Sequence, residues 1–315
     1  MRTDLDHLPA VKQRELERVV EMLFRGFREA TENATGPRKS ARILKVILFG
    51  SYARGDWVDA PSDPNEYKSD FDILVIVDQK EMTDRATYWE KTEYRLIDAF
   101  SIEKIIRTPV NFIVHTLQEV NDDLSHGRIL MMEIAKDGIA LYQSDDRELA
   151  DPKPKTPERL YSIAQDNFDE FFPDAMRRFY LANVSYDKGW NKDTAFDYNL
   201  ATDRLYRCVL MTLSLYAPHN PNILFLRGMA ERLDKRLFDA WPRKTKSERD
   251  MFKKLKEAYR KAQYSKHFSI SVEELDWIRS RIEVLGKIVH EVCSEHLAAL
   301  KAAADATKGS PPASG

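Results

Sequence analysis

Asp70 and Asp72 stand one residue apart at the head of an apolar run, and Gly50-Ser51 closes an earlier one. If the run carrying the acids is a strand, residues i and i+2 face the same side and the two carboxylates project together. Such a pair beside apolar residues is costly unless a cation neutralises it. Mg²⁺ takes oxygen ligands of this kind and keeps water for a nucleotide phosphate. Gly50 lets backbone approach a phosphate with no Cβ in the way, and the Ser51 hydroxyl and nearby amides can bond phosphate oxygens. Arg54, in the turn Tyr52-Ala53-Arg54-Gly55 that follows, would add positive charge there. An isolated Asp-x-Asp is usually a solvated strand end. Ser-Asp-x-Asp together with Gly-Ser, each bordering a buried run, is far more specific for phosphate and metal chemistry.

These residues need rigid elements to hold them. Three short runs have strand length and are rich in Ile and Val: Ile43–Phe49, Phe71–Val77 and residues 110–114. Apolar positions at helical spacing occupy residues 8–33, 86–105 and 116–136. Helices interleaved with strands predict an α/β sheet domain. Beyond it no strand stands out. Thr156-Pro157 starts a helix, as an N-cap followed by proline. Helical periodicity then covers 157–186, 192–216, 223–239, 247–266 and 271–303, broken at Gly189, Pro218, Pro221 and Pro242. Five helices with short links predict an antiparallel bundle.

Gly50-Ser51 with Ser69-Asp70-Phe71-Asp72 resembles the signature of the DNA polymerase beta-like nucleotidyltransferases, in particular the minimal ones. The wider run GSYARGDW…SDFDILV is similar to a bacterial group in which that domain is fused to a HEPN domain, a helical bundle. Residues 258–285 resemble its late helices. The resemblance implies a mixed sheet with flanking helices over 1–150 and an all-α, up-and-down HEPN-like bundle over 151–305. It also implies that Asp70 and Asp72 hold Mg²⁺ on ATP, that Gly50 and Ser51 hold its phosphates, and that pyrophosphate leaves on attack at the α-phosphate. Active members carry a third carboxylate on a later strand. Asn111 stands where that acid is expected, and an amide can ligate a metal but cannot take a proton. His115, on the same face if the strand reaches it, is an alternative base.

For the helical half the resemblance implies an Arg–His ribonuclease pair, matched by Arg260 and His267. Gln263 stands where the group more often has arginine, in Ala262-Gln263-Tyr264. Tyr264 is a possible acceptor of a transferred nucleotidyl group. Residues 243–261 carry nine basic residues against three acids, which suits a phosphate backbone or a solvated helix equally.

Composition narrows the class. The chain has 315 residues, 43% hydrophobic and 32% charged, enough for two soluble domains. No apolar stretch is long enough to span a membrane, and the N-terminus has no signal-like apolar core. Cys208 and Cys293 alone support neither a disulfide framework nor a four-cysteine metal site, so a cytoplasmic protein with reduced thiols is expected. Residues 1–150 carry 21 basic against 28 acidic residues, and the rest 28 against 23. The sign changes at the proline-rich stretch 151–157, which reads as a domain boundary. The last residues, 306–315, read as a disordered tail.

The expected activity is transfer of AMP from ATP to a protein hydroxyl or an RNA end, paired toxin–antitoxin-like with the helical half. A homodimer through that half is the expected assembly. Three alternatives stay open: a ribonuclease restrained in cis, a degenerate nucleotide-binding module, and an aminoglycoside nucleotidyltransferase, which the basic second half disfavours.

Overall fold

The computed structural model describes residues 1–58, 69–144, 147–218 and 222–308. They form two compact units, one ending at Pro154 and the other beginning at Lys155.

The first unit is built on a four-stranded mixed sheet. Helix α1 (Ala10–Thr31) comes first, then β1 (Ile43–Phe49), the single turn α2 (Ser51–Arg54) and β2 (Phe71–Val77). Two helices, α3 (Arg85–Tyr88) and α4 (Glu90–Ser101), lead to β3 (Val110–Thr116). After it come α5 (Leu117–Ser125), α6 (Ile129–Asp137) and β4 (Ile139–Gln143). The strand order is β3-β2-β1-β4, with β2 parallel to β3 and β1 antiparallel to both its neighbours. Every residue of β1 and β2 is buried, which is why both read as unbroken apolar runs rather than alternating ones. Leu16, Val19, Leu23 and Phe27 of α1 pack with Leu96 of α4 against Val46, Leu48, Ile73 and Val75.

Two expected helices are each divided. Trp89 breaks 86–105 into α3 and α4, with its indole nitrogen donating to the Met82 carbonyl at 2.7 Å. Gly127, at φ 59°, breaks 116–136 into α5 and α6. Strand β4 was not legible in the sequence. It is five residues long and gains its order from pairing with β1, a contact its own pattern does not announce.

The second unit contains α7 (Pro157–Asp187), α8 (Asn191–Ser214), α9 (Ile223–Leu233), α10 (Lys246–Tyr264) and α11 (Val272–Lys308). Helix α8 packs against the other four. The expected helix 223–239 ends at Leu233, where Asp234 caps a following 3₁₀ turn through the Arg236 amide. Helix α11 runs on to Lys308, so residues 306–308 of the expected tail are helical, and 309–315 lie outside the described residues. His219, in the Pro218–Pro221 break, also lies outside them.

Cys208 and Cys293 are both fully buried, and the hydrogen bond between them, with burial, pushes the Cys208 thiol up. Neither has the exposure a reactive thiol needs. No helix among the described residues is long and apolar enough to cross a membrane.

Candidate active site

The site forms where β1 ends and β2 and β3 begin. Gly50 leaves β1 at φ 74° and ψ −152°, a conformation open in practice to glycine alone. A Cβ built there would lie 2.5 Å from Asp72 Oδ2, so the glycine is required by contact as well as by its backbone angle. Gly50→Ala is therefore expected to cost about 1–3 kcal/mol from backbone strain and to displace the Asp72 carboxylate. Thermal unfolding and metal affinity measured on the same sample check both effects.

Beyond Gly50 the chain turns tightly. The Gly50 carbonyl accepts the amides of Ala53 and Arg54 at 3.2 and 3.1 Å, and the Ser51 carbonyl accepts those of Gly55 and Asp56 at 2.9 and 3.1 Å. Ser51 is 8% exposed, and its hydroxyl makes no hydrogen bond among the described residues. A buried hydroxyl without a partner is costly, and a ligand oxygen at this turn would satisfy it. Tyr52 anchors the turn, its ring centre 4.5 Å from that of Phe71 and 5.4 Å from that of Trp57. Phe71 lies between the two aspartates in sequence and faces the core, which puts Asp70 and Asp72 on the opposite side by strand alternation.

Asp72 is 1% exposed and pairs in register with Phe49 of β1 and Asn111 of β3. Residues directly opposite share a face, so Asp70, Asp72 and Asn111 face one way. The Asn111 amide nitrogen donates to Asp70 Oδ2. The strand bearing the acids is held at its start by Ser69, whose amide donates to the Val58 carbonyl at 2.8 Å and whose hydroxyl accepts the Val58 amide at 2.9 Å.

The remaining candidates lie elsewhere. Arg54 pairs with Asp56 at 3.3 Å on the exposed end of the turn. His115 is in β3, but four strand residues past Asn111, or about 13 Å along the strand. There its ring faces Glu119 at 4.0 Å, so it is not grouped with the aspartates. Burial pushes the Glu119 carboxyl up, but Lys80, the Thr116 amide and His115 together hold it below its ordinary value.

Arg260, Tyr264 and His267 belong to the second unit. Arg260 and Tyr264 sit one turn apart on α10, and Tyr264 is 84% exposed. The helix stops at Tyr264, so His267 does not share a helical face with Arg260. Gln263 bonds its own helix, donating to the Tyr259 carbonyl at 3.0 Å.

Oxygen donors make up the centre: two carboxylates side by side and an amide opposite. That set suits a hard divalent cation such as Mg²⁺, with positions left for water or phosphate. Among the described residues no cluster of three or more His, Cys, Asp or Glu side chains forms a fuller cage.

Sequence reasoning missed the residues behind the site. His7 Nε2 donates to the Tyr52 carbonyl at 2.8 Å, and the Arg2 guanidinium to that of Ala53. Each is about fifty residues from its partner, and no local pattern marks such a contact.

Residues 37–131 match the family described as nucleotidyltransferase domain, so the first unit carries such a domain. The match spans Gly50, Ser51, Asp70, Asp72 and Asn111 and stops before the helical unit. Over 46 residues, 15% of this chain, there is 46% identity to a candidate protein adenylyltransferase of Methanocaldococcus jannaschii. The chain spans 38% of that relative's length. A nucleotidyltransferase-like protein from Exiguobacterium sibiricum, whose crystal structure is known, aligns over 88% of this chain and 78% of its own. At 14% identity and a TM-score of 0.27 that alignment supports nothing further.

Proposed function

We propose that this chain transfers a nucleoside monophosphate, AMP from ATP, to a hydroxyl of a protein or an RNA end. One observation carries the reading: the Asp70–Asp72 pair lies across from a glycine that has no room for a Cβ against Asp72, beside a Ser51 hydroxyl that bonds nothing among the described residues. Asp70 and Asp72, with the Asn111 carbonyl once its amide turns, are the groups that would hold Mg²⁺. Bound there, the ion would offset the charge of the reacting phosphates.

The chain's own part is orientation. The Ser51 hydroxyl, at the head of the turn, holds the phosphates, and Arg54 adds charge at their outer end. The acceptor oxygen bonds to the α-phosphorus as the bond to pyrophosphate breaks. Among the described residues Asn111 cannot take the acceptor's proton and His115 is too distant, and the proton passes to water.

A protein acceptor is favoured by the similarity to the candidate protein adenylyltransferase. The helical unit, HEPN-like by resemblance, docks or supplies it and forms a homodimer. Within that unit Tyr264 is a candidate acceptor, with Arg260 one turn away to meet phosphate and His267 just past the helix end.

The test is ATP labelled on the α- or the γ-phosphate, with Mg²⁺ and the purified chain. Label transferred from the α-position alone supports the reading, and its loss in Tyr264→Phe identifies the acceptor. Transfer from the γ-position would replace it with a kinase.

Asn111→Asp is expected to supply the third carboxylate. Affinity for divalent ions rises with ligand charge, so Mn²⁺ is expected to bind about tenfold more tightly. Calorimetry on both proteins measures this.

A further inference from the structure

Lys12 and Glu15 are charged residues of α1 that are each only 4% exposed. Both reach the segment that leads into β3. The Lys12 ammonium donates to Thr108 Oγ1 at 2.7 Å and lies 5.7 Å from the centre of the Tyr52 ring. One oxygen of Glu15 accepts two successive amides, those of Arg107 and Thr108, at 3.2 and 3.1 Å. Immediately beyond, the Pro109 carbonyl accepts the Phe71 amide at 2.8 Å, and Asn111 comes opposite Asp72 with its own amide on Asp70. Two buried charges are a poor means of stabilising a core, since apolar side chains of similar size often serve as well or better. Here both hold atoms of the same short segment, the one that leads into β3 beside the aspartates' strand.

We propose that Lys12 and Glu15 are positioning residues of the candidate active site. Through Thr108 and two backbone amides they set where β3 begins, and through it the placement of Asn111 and of both carboxylates. The inference rests on the nucleotidyl-transfer reading above. Preorganisation at this level is worth a great deal: displacement of a reacting group by about 1 Å from a remote change can cost about 10²-fold.

The experiment uses the full chain with Lys12→Met, Lys12→Arg, Glu15→Ala, Glu15→Gln and Asp72→Asn. Each is measured for thermal midpoint, Mn²⁺ affinity by electron paramagnetic resonance, and kcat and KM for ATP. Lys12→Met and Glu15→Ala are expected to lose about 10–100-fold in kcat and in Mn²⁺ affinity, beyond what their lowered thermal midpoints explain, with KM for ATP little changed. Glu15→Gln keeps an oxygen for the two amides, and Lys12→Arg keeps a donor for Thr108. Both are expected to recover most of the loss, and they carry the comparison if the harsher variants fail to fold.

Wild-type kcat and Mn²⁺ affinity in Lys12→Met and Glu15→Ala would overturn the inference, as would losses that merely follow the thermal midpoint. If Asp72→Asn is inactive while those two variants match wild type, only the positioning role falls. A wild-type chain that binds no Mn²⁺ and transfers no label removes the reading and the inference together.

Discussion

Asp72→Asn is expected to abolish nucleotidyl transfer while leaving the fold intact. The carboxylate is 1% exposed, faces the same way as Asp70, and sits where a Cβ on Gly50 would approach it to 2.5 Å. Asparagine has the same shape and removes only the charge. Losing that charge forfeits several kcal/mol of interaction with the ion and the transition state, about 10³-fold in rate. Stability should move by less than about 1 kcal/mol, because a neutral amide fits the cavity and relieves repulsion from Asp70. Rate with labelled ATP and thermal midpoint are measured together. Transfer that persists at wild-type level would sink the assignment. Inactivity accompanied by a large drop in midpoint would show that Asp72 holds the sheet together instead.

The second large effect is expected in the helical unit and concerns stability alone. Glu231 is 4% exposed and bridges two arginines, accepting from Arg227 Nε at 2.7 Å and from Arg243 Nη2 at 2.6 Å. Arg227, 5% exposed, also donates to the Trp241 carbonyl at 3.2 Å and lies over the Phe252 ring at 4.5 Å. Arg243 lies over the Phe238 ring at 3.6 Å. Glu231→Ala strands a buried guanidinium without its counter-charge, a loss of about 3–5 kcal/mol. Replacing Arg227 and Glu231 together by apolar residues of similar size should cost much less, because no charge is then left unpaired. Urea unfolding followed by tryptophan fluorescence reads the difference, since Trp241 sits in this cluster. A loss below about 1 kcal/mol in Glu231→Ala would mean that water reaches Arg227 more easily than its burial implies.

Much of this protein was visible without coordinates, because its most informative signals are local. The apolar runs of β1 and β2 emerge with the bounds Ile43–Phe49 and Phe71–Val77. The aspartates one residue apart could only share a face once their run was a strand. The five long helices of the second unit announced themselves through apolar spacing and through Thr156-Pro157, whose threonine caps α7 at the Arg159 amide. Periods of two and of 3.6 residues are written within a few turns of chain, so they survive translation into sequence.

Contacts between distant residues left no such trace. Asn111 meets Asp70 across 41 residues, and Glu15 meets the Thr108 amide across 93. Both depend on how β3 docks beside β2, and the register of two strands is set by the whole core rather than by either strand alone. Strand β4 exists because β1 has a free edge to offer, and His115 lost its place at the site because β3 carries it to the far end. Residue types and spacing thus named the candidate groups, whereas strand order and register decided which of them meet.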